Sequence, residues 1–280
     1  MLTDAHCHPC DLFFEFHEAE KKRRTVISPS GVKGVTAAAS AWNINEFAYN
    51  EELSRNAAAE NEARMLLCFA VHPQLPANYT EKNMRFKDAD LDASMEFLCA
   101  AAKNKKLAAA GEFGFDLFND EYKETEKMQD KIFASHLEAA VNYKLPVVLH
   151  VRRAMHKIFL YAKELSKCKA VIFHSWPGTC EEAHSLLKRG INAYFSFGNI
   201  IMLNHKQAMR SVSLLPADRL LTETDAPYQP RRNEKFSHWA DLRRILKAAA
   251  SLRSKAGNTV NAEELETQIE INFKKAFSIN

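Results

Sequence analysis

Short apolar runs alternate along this chain with longer stretches in which apolar residues recur at helical spacing. Eight such runs can be counted, at residues 2–6, 34–39, 65–71, 107–112, 146–151, 170–174, 192–197 and 219–223. They are mostly continuous rather than alternating, which suits parallel strands buried on both faces. Residues 45–64, 90–103, 123–143, 155–167 and 180–189 intersperse charges with apolar positions three and four apart and predict amphipathic helices. In 90–103, for example, Leu91, Met95, Leu98 and Ala102 fall on one stripe. Two more helices, 237–256 and 262–278, are expected on either side of Gly257-Asn258.

Strand–helix alternation repeated eight times predicts an α/β fold, a (β/α)8 TIM barrel. The competing architecture is an open doubly wound sheet. No Gly-rich phosphate turn follows the first run, which argues against nucleotide binding of the Rossmann or P-loop kind. No internal repeat, low-complexity tract or linker divides the chain, so a single barrel domain over residues 1–280 is expected.

Composition narrows the class. With 280 residues, 46% of them hydrophobic, the chain can fill one large core; barrels of this type run to about 250 residues as one domain. The formal charge of +3 neither demands nor excludes a nucleic-acid partner. The six cysteines form no C-x-x-C pair except Cys7-His8-Pro9-Cys10, and reduced thiols are expected. No apolar run approaches the roughly 20 residues of a membrane span. No secretory leader is expected at an N-terminus occupied by Asp4, His6 and His8. A cytoplasmic protein without membrane attachment follows as the expectation.

The candidate chemistry sits where barrels keep theirs, at the C-terminal ends of the strands. His6 and His8 lie one residue apart on the first run, so both imidazoles project from one face. His72 follows the third run, Glu112 ends the fourth, His150 the fifth and His174 the sixth, and Asp225 follows the eighth. Each has an ordinary explanation alone, as a surface histidine or a turn residue. Their recurrence at the same ends of successive units predicts a metal site. Four of these histidines with the two carboxylates already exceed the needs of one tetrahedral ion. They suit two ions about 3.5–4 Å apart that share a carboxylate, the arrangement of two-metal phosphoester hydrolysis. Asp225 would hold a metal and accept the proton of the attacking water.

These motifs resemble the TatD family of metal-dependent deoxyribonucleases, within the amidohydrolase-like TIM barrels. The resemblance runs through Asp4-Ala5-His6-Cys7-His8, Val71-His72-Pro73, Gly111-Glu112-Phe113-Gly114-Phe115-Asp116, the Leu145–Arg152 segment, His174, Glu223-Thr224-Asp225-Ala226-Pro227-Tyr228 and Arg232-Asn233-Glu234. It implies one ion on His6, His8 and Asp225, a second on His150 and His174, and Glu112 bridging both. Asp225 and Glu112 would be the catalytic carboxylates, and His72, Arg152 and Tyr228 would face the substrate. The implied cofactors are two divalent ions (Zn, Mg, Mn or similar) with no organic cofactor, the implied partner a DNA substrate, and a monomer is favoured. Family members are associated with 3′–5′ exonuclease or endonuclease action on DNA, and some with ester hydrolysis on aminoacyl-tRNA. Carboxylic ester or amide hydrolysis is therefore the alternative activity, and a metal-stabilised scaffold without activity a third reading. Some relatives bridge their metals with a carboxylated lysine; here Lys105 and Lys106 precede the fourth run, and Glu112 favours the nuclease-like branch.

Two departures fall on the substrate side. Ser175-Trp176-Pro177-Gly178 replaces the family's Cys-Phe-Ser-Gly, and only Gln229-Pro230-Arg231 separates Tyr228 from Arg232. Trp176 is placed either to stack on a base or to pack. Arg231-Arg232 is a further phosphate candidate, whereas the run Lys21-Lys22-Arg23-Arg24 reads as a solvated helix face before a phosphate contact. His17, His136, His156, His184, His205 and His238 read as structural or exposed, and Cys7 as a packing residue.

Overall fold

A computed structural model describes residues 1–12, 33–59, 63–78, 87–258 and 260–279. Eight parallel strands lie in sequence order, β1 (Thr3–Cys7), β2 (Val35–Ala41), β3 (Ala63–Phe69), β4 (Ala109–Asp116), β5 (Val147–Arg152), β6 (Val171–Phe173), β7 (Ala193–Phe197) and β8 (Leu220–Thr222). Helices cover the outside: α1 (Ile44–Ala59) follows β2, α2 (Asp88–Lys103) follows β3, and α3 (Glu126–Tyr143) follows β4. After β5 come α4 (Met155–Leu160) and its broken continuation Ala162–Leu165; α5 (Cys180–Lys188) follows β6, and α6 (Lys206–Leu214) follows β7. The chain closes with α7 (Asp241–Lys255) and α8 (Ala262–Phe277). This is the (β/α)8 barrel that the alternation predicts.

The seam between β8 and β1 is joined by the Thr222 hydroxyl, which donates to Thr3 O at 3.0 Å, and by Asp4. Buried Asp4 accepts from the Thr224 N–H at 2.9 Å, the Thr224 hydroxyl at 2.6 Å and the His6 N–H at 3.2 Å. Above it Asp225 N–H donates to His6 O at 2.9 Å and His8 N–H to Ala226 O at 2.7 Å. The bore is filled by small and branched residues, among them Ala5, Ala38, Ala109, Val148, Ala170 and Leu221, and Phe273 and Phe277 of α8 plug its lower end. Fully burying the Val, Leu and Phe side chains among them contributes about 1.5–3 kcal/mol each. Asn272 fixes the plug by donating to the carbonyls of Ala217 and Leu220, both at 2.8 Å.

Several boundaries differ from the sequence reading. The helix expected over 45–64 ends at Ala59, because Ala63 and Arg64 already pair with β2. The fourth strand does not stop at Glu112 but continues to Asp116. The pairing of β4 with β5 shifts between Gly111 and Phe113, which leaves Glu112 as the extra residue of a bulge. Helix α6 was not expected at all. Its buried face contains Ser211 and Ser213 beside Ala208 and Val212, so it lacks a readable apolar stripe. The run 21–24 and His17 lie outside the described residues.

Candidate metal centre

The upper ends of the strands bring the histidines and carboxylates together around Glu112. The β4 bulge aims this carboxylate into the barrel mouth, where its two oxygens face different partners. Glu112 Oε2 lies 3.0 Å from His6 Nε2 and 3.5 Å from His8 Nε2. Oε1 lies 2.7 Å from His150 Nδ1, 2.9 Å from His174 Nε2 and 3.4 Å from His72 Nε2. Asp225 Oδ1 completes the first side, 3.4 Å from His6 Nε2 and 3.6 Å from His8 Nε2. Gly114 makes room for β4 beside His150: a Cβ there would stand 1.9 Å from the His150 carbonyl oxygen.

Outer partners orient most of these rings. His6 Nδ1 meets the Ser40 hydroxyl at 3.2 Å, His150 Nε2 meets Asp116 Oδ2 at 3.1 Å, and His174 Nδ1 stands 3.5 Å from Glu223 Oε1. Such partners hold the outer nitrogen protonated and leave the inner lone pair free for an ion. His72 has the opposite bonding. Its Nδ1 accepts the Gln74 N–H at 3.3 Å, so the proton of the neutral ring sits on Nε2. Burial also brings His72 below the ordinary imidazole range, against the charge of Glu112. His72 therefore presents an N–H to the centre and not a lone pair, although it clusters with Glu112 and His150.

The electrostatics fit a bound cation. Burial alone would raise the Glu112 carboxyl, but the charges of His174, His6 and His72 and the hydrogen bond from His150 hold it well below the usual carboxylate range. Asp225 is likewise pulled below that range, its burial outweighed by hydrogen bonds from His6 and His8 and by the charges of His174 and His6. Burial opposes protonation of His8 and His174, yet their carboxylate neighbours raise both well above the ordinary value. Without an ion, protons supply the positive charge that these carboxylates require. An ion would displace them, and the donor set of imidazole nitrogen and carboxylate oxygen suits a divalent transition metal or Mg²⁺.

Asp225 occupies left-handed backbone, φ 52°, and its second oxygen accepts from Gln229 Nε2 at 2.7 Å. Gln229 also donates to the Ser175 hydroxyl at 2.9 Å. The two segments that depart from the family pattern thus meet at this carboxylate. Trp176 packs: it is 2% exposed, with edge contacts to Phe173 and Phe195.

A cleft of about 1440 Å³ opens over the centre. Its walls include His72, Arg152, Arg153, Phe118 and Tyr228. The Arg152 guanidinium lies 3.5 Å over the Phe118 ring and that of Arg153 4.6 Å, so two cations share one aromatic platform. Tyr228 reaches from the other wall, its hydroxyl donating to Asp11 at 2.9 Å. Arg231 is committed to Glu234 and Asp241, and neither it nor Arg232 lines the cleft. Among the remaining histidines, His156 and His205 line the cleft, while His136 is buried and holds the Val71 N–H at 3.0 Å.

Sequence reasoning passed over Asp116, Glu223, Ser40, Gln74 and Gln229. Glu223 was within reach, since it stands two residues before Asp225. Asp116 lay in a quoted motif without a role. The other three are ordinary polar residues that only the folded chain brings to the groups of the centre.

The profile of the family described as TatD-related DNase matches residues 3–278. The chain belongs to this family. A relative from Buchnera aphidicola, named an uncharacterised metal-dependent hydrolase, is 27% identical over 231 residues, 81% of this chain and 78% of its own. A protein of Erwinia tasmaniensis named 3′-5′ ssDNA/RNA exonuclease TatD is 33% identical over 186 residues, 64% of this chain and 69% of its own. The solved TatD homologue YJJV from Escherichia coli superposes with a TM-score of 0.78 at 24% identity, covering 100% of this chain and 98% of that one. An uncharacterised amidohydrolase from Saccharomyces cerevisiae superposes with a TM-score of 0.72 at 15% identity, with 98% and 99% covered. The chain is thus a metal-dependent hydrolase of the TatD type with the TIM-barrel fold of its structural neighbours.

Proposed function

We propose that this TatD-type hydrolase is a two-metal phosphodiesterase that trims DNA from the 3′ end. The observation that carries the reading is the divided carboxylate of Glu112, one oxygen toward His6 and His8 and the other toward His150 and His174. His6, His8 and Asp225 would hold one divalent ion, His150 and His174 the other, and Glu112 both. Ions so placed would offset charge on the phosphate oxygens and make a water more acidic.

The chain's own groups do the rest. Asp225, oriented by Gln229, takes the proton of the attacking water as its oxygen bonds to phosphorus and the P–O bond to the leaving oxygen breaks. His72 donates its Nε2–H to a phosphate oxygen, and Arg152, held flat on Phe118, presents its fork of N–H groups to the same group or its neighbour. Tyr228 lines the opposite wall. The name carried by the Erwinia relative, a 3′-5′ ssDNA/RNA exonuclease, supports a single-stranded nucleic acid as substrate and the 3′ end as the point of attack.

The test is digestion of a single-stranded oligonucleotide labelled at either end, by chelated protein with and without added Mn²⁺ or Mg²⁺. Metal-dependent loss of nucleotides from the 3′ end is expected. Asp225→Asn should keep the fold and most of the bound metal while turnover falls about 10²–10⁴-fold, the usual contribution of a positioned base. Near-native turnover in that variant would remove Asp225 from the role. No cleavage with any metal, alongside turnover of a carboxylic ester, would move the chain to the ester and amide hydrolases.

A further inference from the structure

His8 has a second group of oxygen donors on its outer side. One donor atom each from His8, Asp11 and Glu46 lies within 4.8 Å of the other two. His8 is 7% exposed and Glu46 6%. Glu46 accepts the Trp42 N–H on Oε2 at 2.9 Å, while its Oε1 is buried without a partner, as is His8 Nδ1. Asp11 accepts the Tyr228 hydroxyl on Oδ2.

Among the described residues no lysine or arginine side chain faces these two carboxylates, and a buried carboxylate oxygen left without a partner is costly. Donor atoms that share one hard cation at about 2.0–2.6 Å lie no more than about 5 Å apart, the spacing found here. We propose that Asp11 and Glu46 hold a further divalent cation, distinct from those around Glu112. This rests on the reading of His8 as a ligand of the centre through Nε2. A ring bound that way keeps its proton on Nδ1 and donates it. The further ion is therefore held by carboxylate oxygen and not by the His8 ring. An all-oxygen set selects Mg²⁺, Mn²⁺ or Ca²⁺ over softer ions. Through Asp11 the site reaches Tyr228, whose ring lies 5.2 Å from that of His8, so its filling steadies one wall of the cleft.

Crystals of the full chain loaded with Mn²⁺ and measured at the manganese absorption edge test this directly, because the two locations are resolved in space. An anomalous peak between Asp11 and Glu46 is expected in addition to those around Glu112. Glu46→Gln should lose that peak and keep the others, with bound Mn²⁺ falling by one ion per chain. Should that variant not fold, Asp11→Asn at the less buried ligand serves the same purpose. Peaks around Glu112 with only a non-anomalous water, or nothing, beside Glu46 would overturn the inference and leave the centre intact. A peak that persists in the folded variant would overturn the assignment of its ligands. A peak at Asp11 and Glu46 with none around Glu112 would keep the inference and sink the two-ion reading, whereas no peak at either place would sink both.

Discussion

At the scale of single residues, the assignment of a histidine depends on which nitrogen is occupied by its neighbours. His6 and His174 turn Nε2 inward, with the Ser40 hydroxyl and the Glu223 carboxylate (3.5 Å) beside their Nδ1, and His150 does the reverse, so all three offer a lone pair. His72 also faces Glu112, 3.4 Å away, yet accepts at Nδ1, and so it can only donate. Replacing it should separate from replacing a ligand. His72→Leu is expected to lower kcat about 10²–10³-fold, the scale for removing one donor to developing charge. Its metal content, read by elemental analysis, should stay at the wild-type level. Loss of an ion from His72→Leu would reassign this ring to the ligand set. Sequence spacing places His72 at the correct barrel end but says nothing of its tautomer, because Gln74 and its backbone N–H take their positions only once the loop is folded.

At the scale of elements, the ligands are positioned by features that do not read as chemistry. Glu112 reaches the mouth through the β4 bulge, and His72 follows Val71, whose N–H is held by His136 of α3. His136 donates from Nδ1 to the Ile132 carbonyl at 2.8 Å and accepts at Nε2, so the ring is neutral in the folded protein. Burial pushes its pKa down from 6.5 to about 4. Its contribution to stability is complete above pH 6.5 and is lost as pH falls from 6.5 through 4, about 3 kcal/mol in all. His8 and His174, raised by their carboxylates, contribute in the opposite sense, fully below pH 6.5 and less as pH rises. Urea unfolding of wild type and His136→Gln, compared at pH 7 and at pH 4.5, isolates the first contribution. The destabilisation on acidification should be smaller in the variant, and identical acid slopes would contradict a neutral buried ring. The eight strands were legible because continuous apolar runs carry their own period. The bulge and α6 were not, since one depends on pairing with β5 and the other hides small polar residues in its buried face.

At the scale of the whole molecule, the seam between β8 and β1 unites the two strands that bear His6, His8 and Asp225. Asp4→Ala would leave the Thr224 N–H, the Thr224 hydroxyl and the His6 N–H without an acceptor. At about 1–3 kcal/mol for each buried group left unsatisfied, a loss of several kcal/mol is expected. Mn²⁺ affinity should weaken with it, because His6 and Asp225 are held on opposite sides of that joint. A variant with unchanged melting temperature and unchanged Mn²⁺ affinity would show that the ladder closes the barrel without Asp4. The sequence reading saw Asp4 as part of a motif and could not see that it fastens the last strand to the first. The filled bore, stoppered by Phe273 and Phe277, has a consequence for traffic. The barrel is a cup and not a tunnel, so whatever enters over the rim must leave over it. A polymer cannot be threaded through such a vessel; it can only dip an end, give up a piece, and lift away so that the piece can follow.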